Sequence, residues 1–157
     1  MLVKDILITV PEIGRSGNLK QIIKTFKETC LNILPVTDTE KRLLGIIKFN
    51  DIAKAFEPYQ GPLKTLVKTI PLLDDLIGKD FSFDQVDPEV GVLCLADDIL
   101  NINFITLDPD MDLQKAYSIM RLYNEDTICV VKDGCLLGVI KLLDIIIAIF
   151  KEKGIID

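Results

Sequence analysis

The chain carries one passage twice. Residues 43–56, LLGIIKFNDIAKAF, and residues 136–149, LLGVIKLLDIIIAI, are identical at eight of fourteen positions without a gap. Upstream, Leu19 to Leu34 aligns with Leu113 to Ile128 at an offset of 94, which drops to 93 after the turn at Lys132, Asp133 and Gly134. Each copy spans one supersecondary unit, and a duplicated unit tends to fold as two similar lobes about a pseudo-two-fold axis. Any pocket formed where the lobes meet should therefore occur twice.

Periodicity gives the order of elements within a copy. Leu19, Ile22, Ile23 and Phe26 form one apolar helical face behind Asn18, a residue suited to the N-cap. Leu113, Ala116, Tyr117 and Met120 repeat that face behind Asp112. Two short apolar runs follow in each copy, ILPVTD and LLGIIK, then TICVVK and CLLGVIK, and both pairs read as strands. In the second copy KDG marks a hairpin, because glycine supplies the positive φ of a tight turn. A second helix starts around Asn50 or Leu143. Ahead of each capped helix, ILITV and NFITL are expected to form a first strand. The unit is strand, helix, strand, strand, helix, so the expected fold class is α/β of the α+β kind, with two pseudo-symmetric lobes. The expected division is residues 1–57, a bridge at 58–97, and residues 98–157. The stretch between the copies is too long for a bare loop in a compact domain. In it, Pro62 suits a first helical position, with Leu63, Leu66, Val67 and Ile70 as an apolar face that Pro71 interrupts. The remainder of the bridge reads as helical or irregular.

Composition narrows the function classes. At 157 residues the chain can bury a real core. Cys30, Cys94, Cys129 and Cys135 stand singly in apolar settings, with no CxxC pair and no histidine, so no metal site is expected and a cytoplasmic, reduced state is. The opening MLVKDILITVPE lacks the long apolar core of a signal peptide. The run from Cys135 to Phe150 is interrupted by Lys141 and Asp144 and falls short of the roughly 20 apolar residues of a membrane span. A formal charge of −6 with scattered basic residues argues against nucleic acid.

The LPVTD run, the following LLG and the spacing GIIKFND resemble the CBS domain, named after cystathionine β-synthase, in the form hxPVhD followed by hhGhhTxxDh. ICVVKDG, LLG and GVIKLLD repeat the pattern more loosely, with Cys129 where the family has proline. Two such units make a CBS pair, or Bateman module. The resemblance implies binding of adenosine-containing ligands (AMP, ADP, ATP or S-adenosylmethionine) in clefts between the lobes. It also implies regulation of another protein, here in trans because the residues leave no room for an effector domain.

An aspartate in the first turn of a helix can offer its carboxylate to a ribose diol while free N–H groups at that helix end attract phosphate. Asp51 and Asp144 are those residues; alternatively, each merely complements its helix dipole. Three positions earlier, where the family has threonine or serine, stand Lys48 and Lys141. Each ammonium either meets a ligand phosphate or is solvated over an apolar stem. By family analogy the adenine slot draws on Ile8, Thr9, Val10, Ile33 and Leu34 for one copy and Ile105, Thr106, Leu107, Thr127 and Ile128 for the other. All of these can equally be plain strand and core residues.

Other acidic groups read as decoys. Asp108, Asp110 and Asp112 open like a calcium loop, but Leu113 stands where the loop needs glycine and Ile119 where it needs glutamate. A turn and an N-cap explain them better. Asp74 with Asp75, and Asp97 with Asp98, read as solvated. Without histidine, GxSxG or an activated cysteine, catalysis lacks its usual parts and no enzyme is expected. The helix from Asp144 to Phe150 is apolar on nearly all sides and wants burial on two faces, which predicts a homodimer. A ligand-free structural or dimerisation protein is the rival expectation.

Overall fold

Each copy builds a three-stranded sheet with two helices, in the order strand, helix, strand, strand, helix. The computed structural model describes residues 1–56, 84 and 86–157, leaving aside the side chains of residues 54 and 56. The helix expected from Pro62 to Ile70, and Asp74 with Asp75, lie outside the described residues.

In the first copy, β1 (Ile13–Gly14) runs parallel to β2 (Ile33–Thr37), which pairs antiparallel with β3 (Leu43–Lys48). Between β1 and β2 lies α1 (Leu19–Thr29), and β3 leads directly into α2 (Phe49–Phe56). In the second copy, β4 (Thr106–Leu107), β5 (Thr127–Lys132) and β6 (Cys135–Lys141) repeat the order, with α5 (Leu113–Tyr123) and α6 (Leu142–Glu152) in the helix positions. Two short helices, α3 (Val90–Leu93) and α4 (Ala96–Ile99), precede the second copy.

The caps sit where the spacing predicts. The Asn18 side chain accepts from the Gln21 N–H at 3.0 Å, while Gln21 reaches back to the Asn18 N–H. Asp112 accepts from the Gln114 N–H at 2.8 Å. The two helices stop in left-handed backbone, at Cys30 with φ 52° and at Asn124 with φ 54°. Asn tolerates that conformation readily, whereas Cys30 adopts it at a cost. The expected hairpin turn follows β5, where Asp133 and Gly134 both have positive φ.

One strand differs from expectation. ILITV does not open the first sheet; β1 lies further on, at Ile13–Gly14. Instead Ile8 bridges to Val139 on β6 of the second copy, each donating its N–H to the other's carbonyl at 2.8 and 2.9 Å. The run is extended and apolar as read, but it covers the other lobe. Reciprocally, Asn101 bridges to Ile46 on β3 through bonds of 3.0 and 2.8 Å.

The exchange obeys the offset throughout. Leu2 bridges Asp112 as Asn18 bridges Leu95, and Arg42 meets its own counterpart Cys135 near the pseudo-two-fold axis. The first core therefore contains Ala96, Ile99, Leu100 and Phe104 beside Leu19, Ile22 and Leu34. The second contains Val3, Ile6 and Leu7 beside Leu107, Ala116 and Ile140. The repeated LLG glycine makes this possible. A Cβ at Gly45 would strike Leu100 and come within 2.7 Å of the Asn101 carbonyl oxygen, and one at Gly138 would strike the Ile8 carbonyl oxygen and lie 2.8 Å from Leu7 Cδ1. Real Cβ atoms do not approach backbone so closely.

Candidate functional site

The two places where a strand hands over to a helix concentrate the candidate residues. Lys48 ends β3 and Asp51 sits in the first turn of α2; Lys141 ends β6 and Asp144 sits in the first turn of α6. Side-chain environment separates these equivalent corners.

At the first corner Asp51 is 3% exposed, and its Oδ2 accepts the Lys48 N–H at 2.8 Å. One carboxylate oxygen is thereby committed to the start of its own helix. The Lys48 ammonium crosses to the other copy and donates to Glu125 Oε1 at 2.6 Å, with the two side chains only 34% and 27% exposed. Beside this pair, Ile33, Ile46, Phe104, Ile105, Thr127 and Ile128 surround a gap of about 10 Å³. That is at the lower limit for a single water molecule.

At the second corner Asp144 Oδ2 is buried and finds no hydrogen-bond donor among the described residues. The Asp144 residue lines a cavity of about 440 Å³ together with Met1, Ile6, Ile8, Ile147, Ala148 and Lys151. On another side of the same helix start, Lys141 borders a cavity of about 350 Å³ with Leu31, Asn32, Asp126, Thr127 and Ile146. Asn32 Oδ1 there is likewise buried without a donor. Glu125 and Leu31 are equivalent by the repeat offset, so the position that supplies Lys48 with a carboxylate supplies Lys141 with an aliphatic side chain. Among the described residues no carboxylate lies within ion-pair distance of Lys141.

The expected site residues thus divide. Ile8 joins Asp144, and Thr127 joins Lys141. Ile33, Ile105, Thr127 and Ile128 line the closed gap. Val10 and Leu34 lie in the first core and Leu107 in the second, while Thr9 and Thr106 are exposed. Lys48 is held by Glu125, an arrangement that neither expectation for it included. Glu125, Leu31 and Asn32 were not singled out from the sequence. The signal was there: aligning the copies at an offset of 94 sets Glu125 against Leu31.

The decoy carboxylates do structural work. Asp108 accepts the Asp110 N–H at 2.8 Å, as a turn requires, and Asp112 is the cap described above. Asp110 receives both Lys132 and Lys4 at 2.8 Å, and these ammonium groups, Lys132 first, hold its carboxyl down to about 2. Asp97 and Asp98 are engaged rather than merely solvated. Asp97 pairs with Arg15 at 2.7 Å, and Asp98 accepts the Leu95 N–H at 2.8 Å. Burial pushes the Cys129 thiol up to about 12. Among the described residues no three His, Cys, Asp or Glu side chains cluster as metal ligands, and no helix is long and apolar enough to cross a membrane.

Comparison with known proteins agrees with this architecture. A family model described as "CBS domain" matches residues 3–58 and again residues 96–151. An uncharacterized protein of Methanocaldococcus jannaschii is 26% identical over 156 residues, covering 95% of this chain and 91% of that protein. Among solved structures, the CBS domain pair of a protein crystallised with 5′-methylthioadenosine and S-adenosyl-L-methionine superposes with a TM-score of 0.62 at 25% identity, covering 98% of each chain. The CBSX2 protein in complex with AMP superposes with a TM-score of 0.66 at 16% identity, covering 97% of this chain and 98% of that one.

Proposed function

The chain belongs to the CBS domain family as a tandem pair, and from that premise we propose that it is a regulatory module, not an enzyme, that binds an adenosine-containing nucleotide in the cleft at Asp144. The observation that carries this reading is that Asp144 lines a cavity while its buried Oδ2 has no donor among the described residues. A buried acceptor without a partner costs about 1–3 kcal/mol. The two hydroxyls of a ribose are the donors that would satisfy it. Ile6 and Ile8 offer apolar surface to an adenine, and Lys141, in ion-pair distance of no carboxylate among the described residues although Asp126 lines the same cavity, offers its charge to phosphate. Related modules crystallised with AMP or with S-adenosylmethionine and methylthioadenosine support an adenosine-containing ligand.

A thermal-melt panel with AMP, ADP, ATP and S-adenosylmethionine tests this directly. Ligand at 100 times its Kd stabilises by about 2.7 kcal/mol. At this chain length the midpoint rises by roughly 5–10 °C. A flat panel overturns the reading. Lys141→Ala should weaken ADP and ATP more than S-adenosylmethionine; equal weakening would remove the phosphate role.

The output acts on a partner in trans, and the module works as a homodimer. On α6, Leu143, Ile147 and Phe150 share one face and are 62%, 37% and 41% exposed, while Ile145 and Ala148 are buried in the second core. A second copy laid against that face covers it. Sedimentation at micromolar concentration should find a dimer that Phe150→Glu dissociates. The same face favours the second reading, a dimerisation protein without ligand, which a flat melt panel with an intact dimer would select. Four unpaired cysteines suit the reducing cytoplasm as the setting.

A further inference from the structure

We propose that Glu125 is the specificity residue that limits the module to one nucleotide per chain, by occupying Lys48 at the Asp51 corner. The inference rests on the nucleotide reading above and deepens it. The two corners have the same backbone, the same lysine and the same aspartate, so a nucleotide that fits one should by symmetry fit the other. The residue facing the lysine is one of the differences between them. Glu125 Oε1 sits 2.6 Å from the Lys48 ammonium in a partly buried setting, where a phosphate would have to go. An incoming phosphate must displace that carboxylate and then lie beside it, and two anions in one partly shielded site repel. Leu31, in the equivalent place beside Lys141, does neither.

Two further contacts sit at the first corner. Phe49, the first residue of α2, lies against Phe26 with ring centroids 4.7 Å apart, and Asp51 accepts the Lys48 N–H. Neither neutralises Lys48. The ion pair therefore carries the discrimination, an element set against a second ligand rather than for a first.

The substitution that erases the difference is Glu125→Leu, which gives the first corner the residue the second already has. Titration calorimetry with ADP on the full chain reads the number of sites. The wild type should bind about one ADP per chain and Glu125→Leu about two, because one repulsive element separates the clefts. A folded Glu125→Leu that still binds one, or a wild type that already binds two, overturns the proposal. If the wild type binds none and Glu125→Leu binds one, the latch stands and the Asp144 reading falls; if neither binds, both fall. Glu125→Gln keeps the size of the side chain and removes its charge, so it serves the same test should leucine at this turn impair folding.

Discussion

The two halves of this molecule agree in their backbones and disagree at their helix entrances. Every main-chain bridge between them has a partner displaced by 93 or 94 residues, down to the 2.8–3.0 Å bonds of Ile8 with Val139 and Asn101 with Ile46. Yet among the described residues Lys48 is paired and Lys141 is not, and Asp51 accepts the N–H at the start of its helix while Asp144 Oδ2 has no donor. The backbone pairings hold both cores together, so a change there destabilises the whole. The side chains at the entrances are less constrained by the pairing of the lobes, so one copy can tie up its lysine and aspartate while the other keeps an unsatisfied acceptor. On the proposed reading, that orphaned group is where stability is given up for binding.

The largest expected effects break the agreement. Gly138→Ala places a methyl against the Ile8 carbonyl, and Gly45→Ala places one against Leu100 and Asn101. Each should destabilise by about 3 kcal/mol in urea denaturation, since each methyl meets a backbone carbonyl oxygen of the exchanged segment as well as a leucine side chain. Two mild and equal losses would mean that the exchanged segments can move aside.

Next come the aspartates, which sharpen the disagreement. Asp51→Ala should cost about 1–2 kcal/mol through the lost cap yet leave the nucleotide-induced rise in melting temperature in place. Asp144→Ala should leave the empty protein as stable or up to about 1 kcal/mol more stable, and abolish that rise. The reverse pattern would place the ligand at the first corner.

The smallest effect concerns the surface ties of the exchanged segments, Lys4 with Asp110 and Arg15 with Asp97. Lys132 and then Lys4 depress the Asp110 carboxyl to about 2, below its unfolded value of about 4. Such a group contributes stability above about pH 4 and loses it as pH falls toward 2. Asp110→Asn should flatten the acid limb of the melting profile slightly, since these groups are exposed and screened. An acid limb unchanged by that substitution would assign the loss to other carboxylates.

Much of the fold is legible in the sequence because its signals are short-range. Asn18 and Asp112 announce their helices, Asp133 and Gly134 their turn, and the duplication predicts two lobes. ILITV shows where short-range signals stop. An apolar extended run looks the same whichever sheet edge it pairs with; Gly138 leaves room for Ile8, but Gly45 offers the same bare backbone on the near lobe, so the repeated motif permits the distant pairing without selecting it. The candidate site is legible in its aspartates and lysines, which come from the repeated motif, but not in Glu125, which meets Lys48 across 77 residues. Nothing local marks a glutamate as the partner of a lysine that far away.

The swapped leading segments also bear on what a fragment of this chain can be. A peptide ending at residue 57 would carry Val3 to Ile8 with no second sheet to lie on, and would lack Ile99 to Asn101 over its own Gly45. Neither repeat is thus a free-standing folding unit, although each reads as one by homology. Two such fragments expressed apart should be sticky and incomplete, and mixing them should restore the missing edges of both at once.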